Sequence, residues 1–230
     1  MRRKKAILTL LAASGAAVLL AACATQGAGG GNPMSFFISS TGSGKGADLG
    51  GLAGADALCQ RLASAAGAGS KTWRAYLSVP PTLPSGNNPA VAATHARDRI
   101  GKGPWYNAKG ELIASDVDQL HSRNNITKAS ALDERGNPVK GRGDTPNEHD
   151  VLTGTRADGT AFAPQTDTTC GAWTKSGADG SAIVGHHDLT GPTNDNWSKS
   201  WNFSHQSAGC SQEALVRTGG SGRLYCFAAN

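Results

Sequence analysis

The sequence predicts an α+β domain, and three observations predict it. A helical repeat of apolar residues stands early in the folded part, several short extended segments stand late, and runs of glycine, proline and polar turn residues separate them. With 31 glycines and 10 prolines among 230 residues, the composition favours short elements joined by long loops over a helical bundle.

The first residues belong to no such fold. Arg2, Arg3, Lys4 and Lys5 precede an apolar run from Ala6 to Leu20, which is too short and wrongly flanked for a stable membrane span and reads as a signal peptide over residues 1–22. Its end, Leu20-Ala21-Ala22-Cys23, resembles the bacterial lipoprotein signal. That resemblance implies that the Cys23 sulfur takes a diacylglycerol and that acyl chains, palmitate among them, anchor the protein to a membrane, each buried methylene contributing about 0.8 kcal/mol. Ala24 stands where an aspartate commonly retains such proteins at the inner membrane, so the expected address is the outer membrane of a cell envelope. The formal charge of +5 includes the four basic residues of the signal, and +1 remains once they are subtracted. No dense Lys/Arg stripe is left to suggest nucleic acid as a partner.

Residues 23–33, a lipidated and glycine-rich stretch, read as a flexible tether. Residues 34–230 are long enough for one domain with a real core, and no internal repeat divides them. Ser35 to Ser39 is a short β candidate, followed by a glycine-rich loop from Thr41 to Gly51. Leu52, Ala55, Leu58, Cys59, Leu62 and Ala66 recur at helical spacing up to Gly67, which places Cys59 on a buried helix face. Thr72 to Ser78 alternates large and small side chains until Pro80-Pro81 and reads as a strand. A shorter helix is expected from Pro89 to Arg99. Asn107 to Gly110 and Glu134 to Asn137 carry hairpin-turn chemistry. Trp173, Ile183-Val184, Trp201-Asn202-Phe203 and Leu224 to Phe227 mark several late strands.

Gly50 to Asp56 with Cys59, followed by Trp73-Arg74-Ala75-Tyr76-Leu77-Ser78, resembles the opening of the endostatin domain. Gly209-Cys210, Gly219-Gly220 and Arg223 to Phe227 resemble its end. Residues 35–228 as a whole are similar to bacterial lipoproteins that carry this endostatin-related, C-type-lectin-like domain. The resemblance implies a C-type-lectin-like fold with a mixed or antiparallel sheet and two nested disulfides. Four cysteines allow three pairings; the resemblance implies Cys59 with Cys226 and Cys170 with Cys210. A cysteine metal site is the rival, but no C-x-x-C spacing occurs and the compartment is oxidising.

In sugar-binding C-type lectins, carboxylates and amides hold calcium and accept sugar hydroxyls together. Asp188, Asn194, Asp195, Asn196 and Trp197 lie in a turn-rich stretch before Cys210 and are the candidate ligand-binding residues, with calcium as the candidate cofactor. The chain departs from that pattern: it has no Glu-Pro-Asn or Gln-Pro-Asp triplet, and Phe203 follows Trp201-Asn202. Residues of these types also satisfy loop backbone. A zinc site is the second metal reading, built from His186, His187, Asp188 and His205. Histidines near tryptophans in a loop-rich core more often serve as hydrogen-bonded structural residues, and the zinc-binding segment near the N-terminus of endostatin has no counterpart here.

Arg142-Gly143-Asp144 spells an integrin-binding tripeptide, but a turn stabilised by Asp144 is the simpler reading. Gly42 to Gly46 lacks the full spacing of a phosphate loop. Neither a G-x-S-x-G elbow nor an H-E-x-x-H helix is present, so no catalytic residue is assigned. The sequence therefore suggests a lipid-anchored envelope protein that binds carbohydrate or an envelope or matrix macromolecule. A protein-adhesion module without sugar binding is the alternative, and an exported hydrolase the more distant one.

Overall fold

The computed structural model describes residues 33–230. The expected signal peptide at 1–22, Cys23 and the tether as far as Asn32 lie outside the described residues. The domain is α+β: its longest strand, β8 (Gly220–Ala228), runs through a mixed six-stranded sheet ordered β1 (Phe36–Ile38), β8, β5 (Asp150–Leu152), β6 (Ile183–His186) and β7 (His205–Gln206), with β2 (Trp73–Ala75) also paired to β8. The β5 and β8 strands run parallel, and the other pairs are antiparallel.

Alternation along β8 explains why this strand is central. Leu224, Cys226 and Ala228 face one hydrophobic cluster, whereas Tyr225 and Phe227 face another, so successive side chains bury against opposite layers. On β1 the same period sends Phe37 into the first cluster and Phe36 and Ile38 into the second. A strand covered on both faces must be apolar throughout, and residues 224–228 are.

Helix α1 (Gly51–Ala65) covers the first face with Ala55, Leu58, Cys59 and Leu62. It starts where Gly50 takes a left-handed φ of 73°, a backbone that glycine adopts at little cost. One buried ion cluster locks it to the sheet. The Asp56 carboxylate accepts from the guanidinium groups of Arg74 and Arg99, each at 2.7 Å, and from the Ala75 backbone N–H at 2.9 Å. Cys59–Cys226 staples the same helix to β8, and Cys170–Cys210 ties the loop region together. On a loop-entropy account the two bridges contribute at most about 5 and 4 kcal/mol, the longer loop more.

The second face is aromatic. Tyr76, Trp105, Trp201, Tyr225 and Phe227 pack there in tilted and edge-to-face contacts. Its polar atoms are paired: the Tyr225 hydroxyl donates to the Trp201 carbonyl at 2.8 Å, and Asn202 Nδ2 donates to the Tyr76 hydroxyl at 2.9 Å. The predicted hairpin about Asn107 to Gly110 forms between β3 (Trp105–Tyr106) and β4 (Leu112–Ala114). Helix α3 (Val117–Ser122), capped by Asp116, follows it.

Several elements differ from the sequence expectation. The helix expected from Pro89 is confined to α2 (Ala96–Arg99). Before it, Val79 pairs with Thr94, Thr82 with Val91 and Ser85 with Asn88, so the chain makes a two-stranded arm whose backbone groups are already used. The β2 strand ends at Ala75, where the Leu77 N–H leaves the ladder and donates back to the Ala75 carbonyl at 3.0 Å. Trp173 closes a short turn, α4 (Cys170–Trp173), and Trp201 to Phe203 form a bend instead of a strand. Helix α5 (Gln212–Thr218), which the apolar pattern does not announce, is capped by Ser211 and ended by Gly219.

Candidate functional site

The sheet brings three histidines and an aspartate to one point. Asp150 opens β5 and lies directly across from His186 on β6; His205 on β7 lies across from Val184, two residues before His186 and thus on the same sheet face. One pleat further along that face, Leu152 and Val184 join the hydrophobic core. The stripe that is apolar inside the core therefore becomes ionisable at its end.

His149 completes the group just before β5, where the register against β8 slips between Asp150 and Val151. Its ring stacks on that of His186, with centroids 4.1 Å apart and planes 12° apart. Room for this pair comes from Gly219 and Gly220. A Cβ on Gly219, whose φ is 108°, would stand 3.2 Å from the His149 ring, and one on Gly220 would stand 3.0 Å from Asp150 Cβ.

All three Nε2 atoms converge on a single oxygen. Asp150 Oδ1 is 3.2 Å from His149, 3.2 Å from His186 and 3.4 Å from His205. These are ion-pair distances without hydrogen-bond geometry: both Asp150 oxygens and His186 Nε2 are buried with no hydrogen-bond partner. The opposite ring nitrogens are each engaged. His149 Nδ1 meets Asp188 Oδ1 at 3.2 Å, His186 Nδ1 the Ser198 carbonyl at 2.7 Å, and His205 Nδ1 the Gln206 carbonyl at 3.0 Å. Burial pushes the Asp150 carboxyl up, but the imidazoles of His186 and His205 beside it outweigh this and hold it below the ordinary range. The Asp150 carboxylate in turn raises His205. Among the described residues, His149, Asp150 and His186 form the group of ligand-type side chains whose donor atoms all lie within 4.8 Å of one another.

The sequence-predicted loop residues are divided by the fold. Asp188 turns inward, its carboxylate 1% exposed, where it takes the Arg142 and Thr190 backbone N–H groups besides His149. Asn194, Asp195, Asn196 and Trp197 stay on the surface, with Asp195 accepting from the Thr193 hydroxyl. The Asp188 carboxylate is therefore engaged with His149 and two backbone N–H groups, while the other four residues lie on the outer loop. His187 also departs from the predicted zinc set, since its Nε2 faces the Lys140 carbonyl at 3.1 Å and burial lowers its pKa. His186 and His205 do meet, but around Asp150 and His149, which the sequence reading did not single out.

Trp197 borders an open cleft. A polar hollow of about 570 Å³ is lined by His121, Arg123, Asn124, Asn196, Lys199 and Trp201 among others. An apolar shelf formed by Trp197 and Phe203 adjoins it through the shared residues Ala157, Asn196 and Ser200. Trp197 is 44% exposed, unusually for so large an apolar side chain. Arg123 and Lys199 make no ion pair among the described residues.

No protein-family model matches the chain, and no curated protein matches it in sequence. Arg142 to Asp144 forms the turn expected of it: Asp144 accepts from the Gly141 N–H at 2.8 Å and pairs with Lys128 at 2.7 Å. Among the described residues no helix is long and apolar enough to cross a membrane.

Proposed function

We propose that this is a lipid-anchored envelope protein, held at the outer membrane through Cys23, whose C-type-lectin-like domain acts by binding carbohydrate and not by catalysis. The observation that carries the reading is the polar cleft beside the exposed Trp197 and the half-buried Phe203. An aromatic face covers the apolar side of a sugar ring, while amides and cations meet its hydroxyl groups. Arg123 and Lys199, which make no ion pair among the described residues, favour glycans that carry acidic groups. The pairing of Cys59 with Cys226 and of Cys170 with Cys210 supports the fold named here.

A glycan array probed with the full chain in detergent tests the reading. Binding should concentrate on acidic glycans and persist in chelator. Trp197→Ala should weaken it about tenfold or more, equivalent to about 1.4 kcal/mol. Absence of any glycan signal, or a Trp197→Ala variant that binds like the parent, would overturn it. A protein-adhesion role is the second reading, favoured by Leu83 and Val91, which lie 54% and 60% exposed on the arm before α2.

A further inference from the structure

We propose that His149, Asp150, His186 and His205 form a binding site for a divalent transition-metal ion of the zinc type, separate from the glycan cleft. Three donors, from His149, His186 and Asp150, already stand together, and His205 Nε2, 3.4 Å from Asp150 Oδ1 but outside that mutual set, moves in as the fourth. Zinc takes imidazole nitrogen and carboxylate oxygen at about 2.0–2.2 Å in tetrahedral sites, which sets neighbouring donors about 3.3 Å apart. The separations from Asp150 Oδ1 to the Nε2 atoms of His149 and His186, both 3.2 Å, match tetrahedral edges, and these three residues are the ones whose donor atoms lie within 4.8 Å of one another.

The protonation pattern points the same way. Each Nδ1 faces an oxygen acceptor, so Nδ1 carries the hydrogen and the neutral ring presents a lone pair at Nε2. Three lone pairs then face a carboxylate oxygen, all of them acceptors, inside a buried space. A cation resolves that conflict. Protonating both stacked rings instead would set two imidazolium charges against each other at a centroid separation of 4.1 Å.

The surroundings are those of a built site. Asp188 behind His149 reproduces the carboxylate–histidine–metal arrangement that orients metal-bound imidazoles. Together, Asp150 and Asp188 offset the two positive charges of the ion. With His205 drawn in, four protein donors close the coordination shell, which makes the ion a structural clamp between β5, β6 and β7. Imidazole and carboxylate without thiolate suit zinc and its neighbours better than calcium or magnesium. His205, 29% exposed at its side chain, is the donor next to solvent and the point of entry.

The test loads the full chain in detergent with zinc, removes free metal by desalting and measures retained metal by elemental mass spectrometry. One zinc per chain is expected. Cobalt in its place should give the intense visible absorption of a tetrahedral site and three strongly shifted exchangeable imidazole proton resonances, a result that needs no variant. His205→Ala should lose retained metal, Asp188→Asn should weaken affinity by about 10–100-fold, and His187→Gln should retain one zinc. A folded parent chain that keeps no zinc, a cobalt spectrum without shifted imidazole protons, or a folded His205→Ala variant that keeps one zinc and an unaltered cobalt spectrum would overturn the proposal.

Discussion

Two buried carboxylates, Asp56 and Asp150, are almost equally hidden, at 7% and 3% exposure, yet their surroundings differ in kind. Asp56 meets two guanidinium groups and a backbone N–H, so three donors complete its bonding. Asp150 meets three imidazole nitrogens at similar range but accepts no hydrogen bond from any of them. Arginine is always charged and always a donor, whereas histidine can be a donor or a ligand. The first cluster is therefore complete as architecture, and the second has the chemistry of a site.

The largest expected effect follows from breaking the complete cluster. Asp56→Ala leaves Arg99 nearly buried without its partner, and urea unfolding should show a loss of about 3 kcal/mol. The increment in stability produced by zinc should survive in that variant. Asp150→Asn should do the reverse. At a free zinc concentration a hundredfold above the dissociation constant, the parent gains about 2.7 kcal/mol, and thermal unfolding of Asp150→Asn with and without zinc should show little of that gain. Equal zinc increments in the parent and Asp150→Asn would erase the distinction between the two carboxylates.

A smaller effect sharpens the comparison within the Asp56 cluster. Arg74 is 45% exposed and Arg99 13% at their side chains. Solvent screens the first pair, so Arg74→Met should cost at most about 1 kcal/mol, and less than Arg99→Met in the same denaturation series. Similar losses would mean that burial does not rank these pairs.

The smallest effect concerns His121, outside both clusters. Burial lowers its pKa in the fold, while its Nε2 meets the Tyr76 hydroxyl at 2.7 Å and its Nδ1 the Val117 carbonyl at 2.7 Å. As pH falls through the unfolded value of about 6.5, the unfolded chain takes the proton first. Stability should fall until the folded state takes it too. His121→Gln should flatten that part of the stability–pH curve, and an unchanged slope would remove His121 from the account.

The same contrast explains what was legible in the sequence. Asp56 sits one residue after Ala55 on a helix whose apolar repeat is plain, and the strand with Arg74 follows within twenty residues, so local pattern marks both elements, whereas Arg99, 43 residues from Asp56, joins them only through the fold. The hairpin about Asn107 to Gly110 was equally local. Asp150 was not legible, because its partners lie 36 and 55 residues away at His186 and His205, and only the register of β5 on β6 and β6 on β7 joins them. His149 and Asp150 occur in a polar run, Pro146-Asn147-Glu148, that reads as loop. The arm before α2 was missed for a related reason: Pro80-Pro81 and Pro89 look like breaks, but each lies beside an isolated antiparallel bridge. Asp188 illustrates the opposite error, a loop carboxylate that the sequence places on the surface and the fold turns inward to hold His149.

The most direct measurement is anomalous diffraction at the zinc edge from crystals of the zinc-loaded protein. The account predicts one strong peak among Asp150 Oδ1 and the Nε2 atoms of His149, His186 and His205. Density showing these four side chains ordered as described, with no anomalous peak between them, would contradict it.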